Sequence, residues 1–146
     1  MNADELIRRM ERLVSASKVA MLTTIDDKGF PRSRWMTPTL LKGRPGFIYA
    51  VSSPKSEKAT QIGKNAKVEW TFQSTVLDEI LSAVGATTLV DDPQFKAEVL
   101  EAIGPNLSIF WRVNPDSRNL IVVETAISEI TCFFPMRNER HRSDVG

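Results

Sequence analysis

Short apolar runs stopped by tight turns constrain this chain more than any other feature. Residues 18–25 carry β-branched and apolar side chains on both faces and end at Asp26-Asp27-Lys28-Gly29, whose Asp and Gly suit a hairpin turn. A second run, 30–41, leaves that turn, and Lys42-Gly43-Arg44-Pro45-Gly46 makes another before a third strand over 47–52. Pro31 and Pro38 cannot donate to a ladder, so each marks a strand start, an edge or a bulge. Three strands joined in this way form an antiparallel meander.

The later segments extend the pattern. Val68, Trp70 and Phe72 alternate on a fourth strand, and 80–90 supply a fifth, in which Gly85 predicts a bulge or a bend where a barrel turns its corner. Residues 119–134 are apolar and β-branched, a sixth strand long enough to bend midway. Helical spacing appears three times. Leu6, Ile7, Met10, Leu13 and Val14 form a stripe over 4–16, with Asn2 and Glu5 as a capping-box variant. Ser56 caps a short helix over 57–63 that Gly63 or Asn65 closes, and Asp92-Pro93 starts a third with Phe95, Val99, Leu100 and Ile103 on its buried side. Strands outnumber helices, so the chain reads as mainly β: a barrel or a sandwich with small helices outside. The β-α-β-α order of a dinucleotide-binding fold is absent, as is any Gly-x-Gly-x-x-Gly.

At 146 residues and 42% apolar composition the chain suits one domain over 1–146 with its own core. The tail, 137–146, opens on a run of charge and is expected to be mobile. Nineteen Lys and Arg against 18 Asp and Glu give no global pull toward nucleic acid or an anionic membrane, so any anion site must be local. No apolar run approaches the roughly 18 residues of a membrane helix. One Cys and one His are too few for a Cys/His metal site, the lone Cys132 cannot form an internal disulfide, and the start of the chain lacks a signal-peptide core. The cytoplasm is the expected compartment.

Two stretches could carry chemistry. Ser52-Ser53-Pro54-Lys55-Ser56-Glu57-Lys58 puts hydroxyls and two lysines at the mouth of a helix just after a strand, where free amides and the helix dipole favour an anion such as a phosphate. The same residues suit a plain capped helix with solvated lysines. In Arg32-Ser33-Arg34-Trp35-Met36 two arginines alternate on one face, and a guanidinium fork can hold two phosphate oxygens; solvated arginines on an edge strand fit equally. Trp70 and Phe72 read as core, Cys132 as a small buried hydrophobe and His141 as solvated. Trp111, in Ser108-Ile109-Phe110-Trp111-Arg112, belongs to an apolar cluster that could cover a partner subunit or a ligand.

The ordered set of these motifs resembles a known family. The N-terminal helix, Val19-Ala20-Met21-Leu22-Thr23-Thr24, Asp-Asp-Lys-Gly-Phe-Pro, the arginine strand, Phe47-Ile48-Tyr49-Ala50-Val51-Ser52 and the Ser53–Lys58 turn, with Ile62, Asn65 and Val68, are similar to the pyridoxamine 5′-phosphate oxidase-like superfamily. The general stress protein type is the nearest likeness. Gly85-Ala86 and Val90-Asp91-Asp92 extend it, so that it spans residues 5–133. The resemblance implies a six-stranded antiparallel split β-barrel of FMN-binding type, a homodimer with flavin at the subunit interface. It assigns phosphate contacts to Arg34, Ser56 and Lys58, and backbone contacts with the flavin ring to Trp35, Met36, Val51 and Ser52. Arg32 is less securely matched. FMN is the implied cofactor; the deazaflavin F420 and haem are ligands that related split barrels accept.

Two departures bear on function. Position 57, often Arg in the family, is Glu57, a carboxylate that would repel a phosphate if it faced one. The C-terminal Arg-x-His segment of the oxidase proper is not reproduced by residues 133–142, so vitamin B6 oxidation is not expected. The leading expectation is an FMN-dependent oxidoreductase in which the cofactor supplies the chemistry and no side chain is compelled to be catalytic. The alternative is a module that stores or senses flavin, or a flavin-free dimeric interaction protein.

Overall fold

Asn2 opens the chain's first helix by accepting the Glu5 amide on its side chain at 2.9 Å. The computed structural model describes residues 1–104, 112 and 119–146. Helix α1 (Ala3–Ser17) turns the stripe Leu6, Ile7, Met10, Leu13 and Val14 inward and ends at Lys18, whose left-handed φ of 65° returns its amide to Val14. That left-handed cap is why the first strand begins two residues after the expected 18, at β1 (Ala20–Ile25). Asp26 then closes the hairpin, its carboxylate accepting the Lys28 and Phe30 amides at 2.9 and 2.8 Å. Strand β2 (Pro31–Met36) pairs back in the register Leu22↔Arg34.

The second strand stops well before the expected residue 41. Pro38 has no N–H to give, and pairing resumes only at Thr39, as a single bridge to Tyr49 of β3 (Phe47–Ser52). Helix α2 (Glu57–Lys64), β4 (Lys67–Gln73), β5 (Ile80–Val90), α3 (Pro93–Ile103) and β6 (Ile121–Phe134) follow. All strand pairs are antiparallel, in the order β2-β1-β4-β5-β6-β3, and just past β2 the bridge from Thr39 to Tyr49 brings the two ends of that order together. The sheet is therefore a barrel with one very short seam, its bridge hydrogen bonds at 2.7 and 2.9 Å.

Inside lie Leu22, Ile48, Ala50, Trp70, Phe72, Leu81, Val123 and Ile130, and α1 packs its stripe on the same core. A second cluster forms on the opposite face of β3, where Tyr49 and Val51 meet Val99 and Ile103 of α3, so β3 is buried on both sides. Trp70 donates its indole N–H to Thr125 at 3.0 Å, which satisfies the one polar group of the largest core side chain.

Gly85 marks the expected bulge: the β5–β6 register shifts between Val84 and Gly85, leaving Ser128 unpaired. The expected mobile tail is instead a strand, β7 (Glu139–Asp144). A 3-10 turn at Pro135–Arg137 and left-handed Asn138 reverse the chain so that β7 covers the edge of β6 that β3 leaves open. Arg142 bonds Thr131 at 3.2 Å, and Arg140 lies 4.8 Å over the Phe133 ring. A charged sequence thus stays in place through its alternate side chains.

Candidate functional site

The barrel parts where its seam ends. Beyond the Thr39–Tyr49 bridge, β2 and β3 diverge, and among the described residues neither free edge has a strand partner. Trp35 and Met36 lie on one lip, Val51 and Ser52 on the other. Trp35 projects outward at 62% exposure and Met36 is half-buried against the core, whereas Val51 and Ser52 are buried, so these residues face the cleft chiefly through their main chains.

Helix α2 begins at the end of the β3 lip. Ser56 caps it, accepting the Ala59 amide at 3.1 Å and sharing a 3.1 Å hydrogen bond with the Ser52 hydroxyl. Lys58 occupies the first turn, half-buried; desolvation holds its amine below the ordinary lysine value, and the charge of Arg34 lowers it further. Arg34 reaches the same place from β2. Its Nη1 donates to Leu22 O at 3.2 Å and to Thr24 Oγ1 at 2.7 Å, and Nη2 donates to Gln61 Oε1 at 3.2 Å. Burial lowers the Arg34 guanidinium below its usual value, and the Glu57 carboxylate partly offsets this.

Neither cation has a carboxylate within ion-pair distance among the described residues. Two partly desolvated cations, a hydroxyl and a helix start therefore converge at one end of a cleft with free main-chain edges. An anion there would relieve both shifts, and a planar group could lie between the lips.

Arg34, Ser52, Ser56 and Lys58 are thus brought together, with Trp35, Met36 and Val51 along the lips. Arg32 is not, because Asp26 holds its Nε at 2.8 Å. Lys55 is exposed outside the site, and Trp70 and Phe72 are core. Cys132 is fully buried and its thiol is pushed up to about 11 by desolvation and by Glu79. His141 sits on β7, edge-on to Phe134 and 3.5 Å from Glu139. Trp111 lies outside the described residues. Sequence reasoning missed Thr24 and Gln61, which anchor Arg34; the available signal was a glutamine beside Ile62 on the buried side of a short helix. The described residues hold no Cys/His/carboxylate cluster fit for a metal, and no described helix is long and apolar enough to cross a membrane. A cavity of about 660 Å³ between α1, residues 37–43 and the end of α3 lies apart from these cations.

Residues 6–132 match the family model described as pyridoxamine 5′-phosphate oxidase. The chain belongs to this family. Its barrel is the split barrel of the pyridoxamine 5′-phosphate oxidase-like superfamily, mainly β with peripheral helices. Among solved structures it is similar to a Clostridium acetobutylicum protein related to general stress protein 26 of Bacillus subtilis (TM-score 0.77, 15% identity, 97% of this chain and 96% of that one). It is also similar to a pyridoxamine 5′-phosphate oxidase-related, FMN-binding protein from Nostoc punctiforme (TM-score 0.68, 15% identity, 99% and 95%). A third likeness is a heme-binding protein from Mycobacterium smegmatis (TM-score 0.72, 15% identity, 97% and 57%). No curated protein sequence matches the chain.

Proposed function

We propose that this oxidase-family chain binds FMN as a cytoplasmic homodimer, one domain per subunit, and acts as a flavin-dependent oxidoreductase. The observation that carries the reading is the Arg34–Lys58 pair, half-buried at the start of α2 with no carboxylate within ion-pair distance among the described residues. Arg34, Lys58 and Ser56 would hold the phosphate. The main chains of Trp35, Met36, Val51 and Ser52 would orient the ring system and exclude water from one of its sides. When bound, the flavin supplies hydride or electron transfer. The FMN-binding protein of Nostoc punctiforme supports the cofactor, and the free main-chain edges of the two lips support pairing.

Vitamin B6 phosphate oxidation fits poorly. The C-terminal Arg-x-His segment of the oxidase is not reproduced by residues 133–142, and His141 is paired opposite Cys132 on β6 and lies 3.5 Å from Glu139. A second reading is a carrier or sensor, favoured by the carboxylate of Glu57 beside the phosphate position and by the likeness to a heme-binding protein. F420 and haem are the ligands to compare.

Purified protein separates these readings. Flavin absorption, FMN as the ligand released on denaturation, and turnover of bound flavin by a reductant and an acceptor are the expected results. Colourless protein that takes up no added FMN overturns the assignment, and uptake of haem or F420 in its place moves it to the second reading.

A further inference from the structure

Glu57 stands where it ought to harm an anion site, yet its hydrogen bonds give it a different part. Thr24 Oγ1 accepts from Arg34 Nη1, so its single proton goes to Gln61 Oε1. Gln61 Oε1 accepts from Arg34 Nη2 as well, and both of its lone-pair directions are then in use. The Gln61 amide must therefore point its Nε2 the other way, and there it donates to Glu57 Oε1 at 3.2 Å. Were the amide reversed, its NH₂ would face the Arg34 guanidinium, donor against donor. Thr24 is fully buried and Gln61 is 6% exposed, so neither has water to replace a lost partner. Glu57, exposed on the solvent side of α2, is the one member that solvent reaches freely.

We infer that Glu57 is a positioning residue: by accepting from Nε2 it holds the Gln61 side chain in place, and Gln61 with Thr24 aims the Arg34 guanidinium at the anion position. It also trims the local charge from two positive groups to a net of one, which suits a single phosphate monoester over a diphosphate. The inference rests on the phosphate role proposed above for Arg34. It reverses the outcome expected from charge alone, by which any removal of the carboxylate tightens phosphate binding and arginine at this position tightens it most.

The test is a set of three variants titrated with FMN by fluorescence quenching. Glu57→Gln retains a carbonyl acceptor for Gln61 and is expected to bind at least as tightly as the wild type. Glu57→Ala and Glu57→Arg lose the acceptor and are expected to bind about fivefold or more weakly. Equal or tighter binding by Glu57→Arg overturns the inference, and so does a Glu57→Gln variant that falls with Glu57→Ala. Because Glu57 is exposed, all three are expected to fold, and thermal melting checks this. A second readout needs no flavin. In ligand-free wild type and Glu57→Gln, hindered rotation of the Arg34 guanidinium should give separate NMR signals for its two Nη nitrogens, and in Glu57→Ala these should merge. If the wild type takes up no FMN, the proposed function fails and this readout alone decides the inference; merged signals in the wild type overturn it.

Discussion

Lys58 and Lys55 lie three residues apart and differ in everything that matters to an anion. Lys58 is half-buried in the first turn of α2 beside Arg34, whereas Lys55 points to solvent before the helix begins. Lys58→Ala is therefore expected to weaken FMN binding by at least about tenfold, and Lys55→Ala by less than about threefold, in parallel titrations. The sign of the pH dependence follows from the lowered Lys58 value. The amine must be protonated to attract phosphate, and it gives up its proton at a lower pH than the ordinary 10.5. FMN affinity should thus fall as pH rises through that lowered value, and Lys58→Arg, which stays charged, should remove this alkaline loss. Arg34, Ser56 and Lys58 came together as a set only through the family resemblance, because a capping hydroxyl and a strand arginine each fit a plain structural role equally well. Thr24 and Gln61 were not legible, since their meaning lies in a contact between β1 and α2 across 37 residues of chain.

Strands and helices declared themselves where apolar spacing or a cap was present, as with Asn2, Ser56, Asp92 and the alternation of Val68, Trp70 and Phe72. Gly85 was readable as a bend, and the structure adds the reason. A Cβ there would stand 2.1 Å from the Ala126 carbonyl oxygen and 2.9 Å from its carbon, both main-chain atoms that cannot turn aside. Gly85→Ala is expected to cost about 3 kcal/mol or more in urea unfolding. Gly63→Ala, in a helical position where a Cβ meets nothing within 4 Å, should instead stabilise by about 0.5–1 kcal/mol. The same measurement on both variants separates a packing requirement from a general cost of replacing glycine. Strand β7 escaped the sequence reading for a physical reason. Its pairing depends on an edge of β6 left free by β3, and its side chains hold through arginine stems and rings instead of an apolar stripe.

The barrel order was open between a closed ring and a sandwich on pattern alone, because no local signal tells which distant strands pair; the family likeness supplied what periodicity could not. At this scale the outer face of the first hairpin stands out. Trp35 and Val19 are 62% and 42% exposed, and Trp35 lies in register with Met21 on β1. If a second copy covers this face, light scattering at micromolar concentration should give twice the 16.4 kDa chain mass, and Trp35→Glu should give monomers with weakened FMN binding. A monomeric wild type would remove the paired cleft from the proposal. The Thr39–Tyr49 bridge has a consequence of its own. The two lips are tied to each other at one residue pair, while the ring's structural integrity comes from the long β5–β6 and β4–β5 ladders on the far side. The mouth is thereby only lightly tied: substitutions at its exposed side chains, Trp35 and Glu57 among them, can reshape or recharge it without touching the ladders that hold the ring.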